Sequence, residues 1–463
     1  MKINRFRIAL AIMICSLLSA CSGGYTDSFT PSPEGGVIAS IKTGGVSIPD
    51  IYPPVVISYK SYLRIQKIPP STDLSLTETL ITKDHKEPCF GGLTWSPNGR
   101  SVAFTTGNVA RDYVERRPFR LWTVGLSGKP KKSLIAENVH SFRWEDDTHL
   151  VYVTEDGEIY RAAISDDVAV LELKTLFSAG HLLDADDRAY HYCGLSGGGF
   201  EFNNPISPNS KYFVYGNGSN LTIVNLSTAA IEKSFPLDGL PISFWWDDGS
   251  GNLVIGVQKK KDRYEYTHHY YLYQLERGLL TNIANRLEDT SQFSPYKPSG
   301  RRVWLSDGKH FILNSGYPYH KTWLFNTASL SAVWMEREIE RFEDGNFSQP
   351  QRIITTLPLE DGEVDSSKEP LPGLVIEPSP AGNLLAVRLP EGKQKHEKQT
   401  STCYVLKIVT GPKGEMSLDV VKKVESRRIK RFIWSIREDF IWTADGRGLL
   451  FVAGDKFRLE SIL

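Results

Sequence analysis

The chain has 463 residues, with 54 Lys+Arg against 54 Asp+Glu, and so lacks the positive bias that a nucleic-acid-binding chain needs. Its five cysteines are spread too widely for a disulfide framework or a metal-ligand cluster. A chain of this length is large for one ordinary core, so it needs either several domains or a repeat.

The first segment, MKINRFRIALAIMICSLLSACSGG, puts Lys2, Arg5 and Arg7 ahead of an apolar stretch from Ile8 to Leu18. That stretch falls far short of the roughly 20 residues of a spanning helix, so residues 1–20 read as a secretion signal. Leu18-Ser19-Ala20-Cys21 resembles the lipobox of bacterial lipoprotein precursors. The resemblance implies a lipid, palmitate included, on Cys21. Because Ser22 rather than Asp follows, it also implies release to the outer membrane, facing the periplasm or the cell surface. Cys89, Cys193 and Cys403 could then supply one disulfide and one free thiol. Residues 21–54 are dominated by Ser, Thr, Gly and Pro without helical or strand period. They predict a flexible tether that lets the folded body float on the order of 30 Å from its anchor.

Residues 55–463 are organised by a repeat of aromatic residue, tight turn and apolar strand. It stands at seven places: WSPNGRSVAF from Trp95, WEDDTHLVYV from Trp144, ISPNSKYFVY from Ile206, WWDDGSGNLVI from Trp245, WLSDGKHFIL from Trp304, PSPAGNLLAV from Pro378 and WTADGRGLLFV from Trp442. Pro suits the second position of a type I turn, while Asn or Asp and then Gly suit the bridge and left-handed conformations that follow. The next strand is almost continuously apolar, as expected when both sheet faces are covered. A third strand alternates in polarity each time, at 119–124, 159–164, 221–226, 270–275, 321–326, 403–408 and 456–462, and a weaker fourth follows, as at 132–136 and 230–235. Four antiparallel strands per repeat predict an all-β fold, a single β-propeller of seven four-stranded blades. The last repeat lacks its fourth strand, which residues 55–68 or 77–82 are expected to supply, closing the ring and removing two edges. Six or eight blades stay open if residues 55–82 form a blade of their own.

At these motifs, over about residues 93–463, the chain resembles the TolB-like family of periplasmic propellers, whose WD-like repeat has an aromatic residue, Ser-Pro-Asp-Gly, an apolar strand and an alternating strand. The same repeat also builds the propeller domains of oligopeptidases, so the resemblance implies fold rather than activity.

Gly194-Leu195-Ser196-Gly197-Gly198 matches the nucleophile elbow of α/β-hydrolases, but that elbow works only between a strand and a helix, and the flanks lead into another repeat. His268-His269 lies in a tyrosine-rich hairpin without a second ligand cluster, and Asp184, Asp186 and Asp187 lack the Gly and the downstream Glu of a calcium loop. No cofactor and no metal are expected. Residues 330–344 read as an outer strand running into an excursion, a short helix being the alternative.

Propeller geometry sends the loops between second and third strands to one face and the Ser-Pro-Asn-Gly turns to the other. Those loops, at 107–118, 258–269, 314–321 and 391–402, carry a net charge of +5. They hold Arg111, Tyr113, Arg116, Arg117, Lys259, Lys260, Lys261, Arg263, Tyr264, Tyr266, Tyr317 and Tyr319. Tyr and Arg on adaptable loops compose recognition surfaces. The expected role is a non-enzymatic lipoprotein whose basic face engages an envelope protein, peptidoglycan or an anionic surface. The alternative is an enzyme or ligand binder with its site in the central channel, acting on a sugar, lactone or peptide.

Overall fold

A computed structural model describes residues 22–34, 36–48, 55–67, 77–82, 89–109, 116–126, 131–165, 170–179, 204–260, 266–283, 304–314, 322–328, 330–335, 375–388, 401–410, 416–426, 428–431, 434–437, 439–443, 445–453 and 456–462. These residues form an all-β, propeller-like chain of antiparallel sheets with no helix among them. Eight sheet units follow one another in sequence.

Unit 1 pairs Ser22–Pro31, Val37–Ile48, Val55–Lys67 and Thr77–Thr82 in that order. Unit 2 has Cys89–Trp95, Ser101–Val109, Arg116–Gly125 and the first part of Lys131–Trp144. The rest of that long strand opens unit 3, with His149–Thr154, Glu158–Ile164 and Val170–Ser178. Asn138, at φ 60, stands where the pairing passes from one unit to the other. Units 4 and 6 begin with single bridges at Ile206 and Trp304 and continue through Tyr212–Asn217, Asn220–Asn225 and Ala230–Pro236, and through His310–Asn314, Thr322–Asn326 and Ser331–Met335. Unit 5 comprises Leu240–Trp246, Asn252–Lys260, Tyr266–Gln274 and Leu279–Asn282. Unit 7 comprises Val375–Pro378, Leu384–Arg388, Ser401–Thr410 and Met416–Ser426. After a hairpin of Arg428–Arg431 and Trp434–Arg437, unit 8 has Asp439–Trp442, Gly448–Ala453 and Lys456–Ser461.

The continuous apolar second strands have a direct cause. Side chains alternate between sheet faces, and here each face packs on a different neighbouring unit. Val102 and Phe104 pack with Ala39, Ile41 and Leu63 of unit 1, whereas Ala103 between them packs with Leu150 and Tyr152 of unit 3. Phe311 and Leu313 face Trp245 and Tyr270 of unit 5, and Ile312 faces Leu385 and Val387 of unit 7. The pattern runs on through units 3 to 5 and 7 to 8. An eighth cluster, Ile38 with Leu450, packs unit 1 on unit 8.

Three expectations are corrected. Residues 22–48 are strands of a unit, not a tether, because PSPEGGVIAS at 31–40 is a further copy of the repeat, close to PSPAGNLLAV at 378–387. The seven counted repeats therefore become eight units. Residues 55–68 and 77–82 do not complete the last sheet by strand pairing, since Val55–Lys67 pairs with Val37–Ile48 and with Thr77–Thr82 inside unit 1. In unit 5 the leading aromatic is Trp246, not Trp245, because the turn bond starts at Asp247. A one-residue slip moves a side chain to the other face, and Trp245 accordingly packs towards unit 6. Cys403 is unpaired and buried in unit 7, where burial pushes its thiol up to about 12.

Candidate interaction face

The turns between first and second strands are closed by the same backbone bond in all eight units. Ser32, Ser96, Glu145, Ser207, Asp247, Leu305, Ser379 and Thr443 each donate N–H to the carbonyl that opens the second strand, over 2.7 to 2.9 Å. Gly99, Gly308, Gly382 and Gly446 hold the left-handed position at φ 61 to 73, as the turn chemistry requires. Side chains reinforce it. Ser96 Oγ accepts from Ser101 N and donates to Asn98 Oδ1, and Ser207 and Thr443 repeat the arrangement.

From unit 4 to unit 8 each turn also touches the next. Asn209 N donates to Ser250 Oγ at 3.1 Å, Asn252 Nδ2 to Gly308 O at 3.1 Å, and Ser306 Oγ to Gly382 O at 2.5 Å. A Cβ on Gly446 would lie 2.6 Å from Ser379 Oγ. Just inside, four of the five leading tryptophans tie unit to unit, Trp144 being the exception. Trp95, Trp246, Trp304 and Trp442 donate Nε1–H to Thr30, Pro205, Trp245 and Glu377 carbonyls, in each case the residue before the preceding unit's lead. From unit 4 to unit 7 the turns are thus linked by hydrogen bonds.

The carboxylates of this face belong to its turns. Glu145, Asp146 and His149 bring possible ligand atoms within 4.8 Å of one another, yet Asp146 caps the turn by accepting from Thr148 N and His149 N while Glu145 is held by Arg161. Asp307 and His310 repeat the pair in unit 6. The grouping is a turn device that recurs, not a feature peculiar to a metal site.

The opposite end is built differently. In units 1, 2 and 5 the hairpin of second and third strands continues two rungs past the first described residue of the first strand. Ser47↔Val56 and Ile48↔Val55 lie beyond Ser22↔Val46 in unit 1. Asn108↔Arg117 and Val109↔Arg116 lie beyond Cys89↔Gly107 in unit 2. Lys259↔Thr267 and Lys260↔Tyr266 lie beyond Leu240↔Gln258 in unit 5. At about 3.4 Å per residue these hairpins project by about 7 Å. By contrast the loop-face turn of unit 3, Glu155-Asp156-Gly157, closes directly on its first strand, Glu155 N donating to Asn138 O at 2.8 Å.

Under the unit 5 hairpin the connection from unit 4 passes closely. Gly239 has φ +143, and a Cβ there would stand 2.6 Å from Gln258 O, so glycine is required. That approach lets Lys259 Nζ reach both oxygens of Asp238, at 2.8 and 3.0 Å, and Asp238 N donates to Tyr271 Oη at 3.4 Å. His269 is half-buried beside them. Burial pulls its imidazole below 6.5, with Lys259 adding to the shift and Asp238 opposing it.

Of the residues expected on this face, the structure places Arg116 and Arg117 on the unit 2 hairpin and Lys259, Lys260 and Tyr266 on that of unit 5. Cys21, Arg111, Tyr113, Lys261, Arg263, Tyr264, Tyr317 and Tyr319 lie outside the described residues, as do 184–187 and the Gly194–Gly198 motif. Residues 331–335 form the outer strand expected of unit 6. Missed from sequence was the aliphatic hairpin of unit 1, with Ile48, Val55 and Val56. Its signal, the PSPEGG turn, sat in a stretch whose composition reads as linker.

No family model and no curated protein matches this sequence. Among solved structures it is similar to a eukaryotic initiation factor, at 11% identity and a TM-score of 0.46 over 94% of this chain and 85% of that one. It is also similar to dihydro-heme d1 dehydrogenase NirN in complex with DHE, at 13% identity and 0.43 over 86% and 66%, and to Kluyveromyces lactis Hsv2, at 10% and 0.39 over 87% and 99%. At these values they assign neither a family nor an activity.

Proposed function

We propose that this chain is a lipid-anchored envelope protein, a closed propeller of eight units whose loop face acts as a non-enzymatic interaction platform. The lipobox at Cys21 and the TolB-like repeats support the address. The cluster that packs Ile38 on Leu450 supports ring closure through sheet faces. The observation that carries the functional reading is the contrast between the ends of the strands. One repeats the same closed turn in all eight units, while the other carries basic hairpins in units 2 and 5.

Two variants of the full chain test this, each made in a Cys21→Ser background so that an anchor does not mask weak binding. Reversing Arg116, Arg117, Lys259 and Lys260 to Glu should weaken association with isolated envelope membranes, and the wild-type association should fall as salt rises. Reversing Arg100, Lys309 and Arg447 on the turn face should leave it unchanged. Equal losses from both faces would refute the assignment, and Cys21→Ser itself should move the protein from the membrane to the soluble fraction.

A further inference from the structure

We propose that the surface engaged by the loop face is an anionic lipid bilayer, and that the protein sits face-on against the membrane that anchors it. This rests on the reading of Cys21 as lipid-bearing and of the loop face as the working face.

The first reason is the position of the anchor. Ser22 is the first residue of the first strand and pairs with Val46, at the end of the sheet where the Val37–Ile48 strand leads to Val55. The strand then runs towards the turn face, which it reaches at Pro31. Cys21 precedes Ser22 by one peptide unit, about 3.8 Å between Cα atoms. The strand from Ser22 leaves no slack for the tether that composition suggests. A lipid on Cys21 therefore draws the loop face, and not the turn face, to the bilayer.

The second reason is what projects there. The described part of the hairpin beside the anchor reaches Ile48, Val55 and Val56, and the described parts of those of units 2 and 5 reach Arg116, Arg117, Lys259 and Lys260. Apolar residues at the acyl boundary with basic residues at the headgroups are the composition of interfacial binding. The acidic turn Glu155-Asp156 does not cancel this. It lies about two rungs lower, some 7 Å, comparable with the screening length of about 8 Å at physiological salt. Asp238 does hold Lys259 in the free protein, so a headgroup phosphate has to compete with that carboxylate.

The test uses the full lipid-bearing chain reconstituted into phosphatidylethanolamine vesicles with and without phosphatidylglycerol, read by amide hydrogen exchange. The expected result is that amides of Asn108, Val109, Arg116, Lys259, Lys260 and Tyr266 slow by about tenfold or more when the anionic lipid is present. Ser101, Asn252 and Gly448 on the turn face should not change. Vesicle partitioning of the Cys21→Ser chain should fall by about tenfold or more in the fourfold Glu variant, and should rise in Asp238→Asn. Hairpin amides as open in anionic vesicles as in detergent would overturn the proposal, as would protection that appears only when envelope protein is added. A mass showing no lipid on Cys21 would sink the anchor reading as well, whereas a lipidated chain with open hairpins sinks only the face-on arrangement.

Discussion

Ser96 and Lys259 stand at opposite ends of equivalent parts of the repeat, and their surroundings follow different rules. Around Ser96 every contact recurs elsewhere in the molecule: the turn bond, the hydroxyl bridge, the neighbouring turn. Around Lys259 only the extended hairpin recurs, in units 1 and 2. The hairpin is longer than in units 3 and 4, the connection beneath it needs Gly239, and both carboxylate oxygens of Asp238 hold the Lys259 ammonium. Repetition is what a ring of packed sheets needs to hold its spacing, and departures from it are tolerated where loops face solvent. The difference therefore marks the loop end as the place where the repeated frame varies.

The comparison breaks first if unit 1 is not a true unit. Ile38 is buried against Leu450, so Ile38→Ala should destabilise by about 2–5 kcal/mol in urea unfolding, while a residue in a tether would change nothing. Next, the same substitution should read differently on the two faces. Gly446 and Gly218 are both left-handed, at φ +67 and +56, but an added Cβ meets Ser379 Oγ at 2.6 Å in the first and open space in the second. Gly446→Ala should cost about 2–4 kcal/mol and Gly218→Ala about 1–2 kcal/mol. Equal costs would remove the claim that the turn face is the tighter one.

The faces should also separate by pH. On the turn face, Thr443 holds the Asp445 carboxyl below 3.8; for Asp146 and Asp307 burial opposes, but hydrogen bonds led by Thr148 and His310 outweigh it. Their contribution is present above pH 3.8 and is lost as pH falls through the lower folded values. On the loop face the folded pKa of His269 lies below 6.5, so the unfolded chain takes up the proton first. Stability from this group therefore declines as pH drops below 6.5. His269→Gln should flatten that part of the stability profile and leave the acid limb untouched. The smallest effect is a gain. Ser210 holds a left-handed turn position at φ 54 with a buried hydroxyl that has no partner, so Ser210→Gly should stabilise by up to about 1 kcal/mol.

Much of the frame is readable from residues alone. Five tryptophans, the Pro-Asn-Gly punctuation and continuous apolar runs such as Leu384–Val387 announce repeated antiparallel units with both sheet faces covered, because no other arrangement buries alternate residues of one strand on two sides. What escapes is unit 1, where Ser-Pro-Glu-Gly-Gly and Ser, Thr and Gly-rich strands have linker composition, and pairing with Val55–Lys67 decides the conformation instead. The one-residue slip at Trp245-Trp246 escapes for a similar reason: two adjacent tryptophans satisfy the pattern equally, and the choice falls to Asp247, whose carboxylate accepts from Gly251 N and Asn252 N. Basic loops are visible from sequence, but that the hairpins of units 1, 2 and 5 run past their first strands while that of unit 3 closes directly on its own follows only from strand register.

All of this turns on the segment after Cys21. Amide hydrogen exchange on the native protein measures it directly at Ile38, Ala39 and Ile41, which pair with Gln66, Ile65 and Leu63. The account predicts protection at these amides comparable with that of Val102 and Phe104 in unit 2. Exchange at the rate of an unfolded chain would return residues 22–48 to a tether, detach the anchor from the loop face and contradict the eight-unit ring.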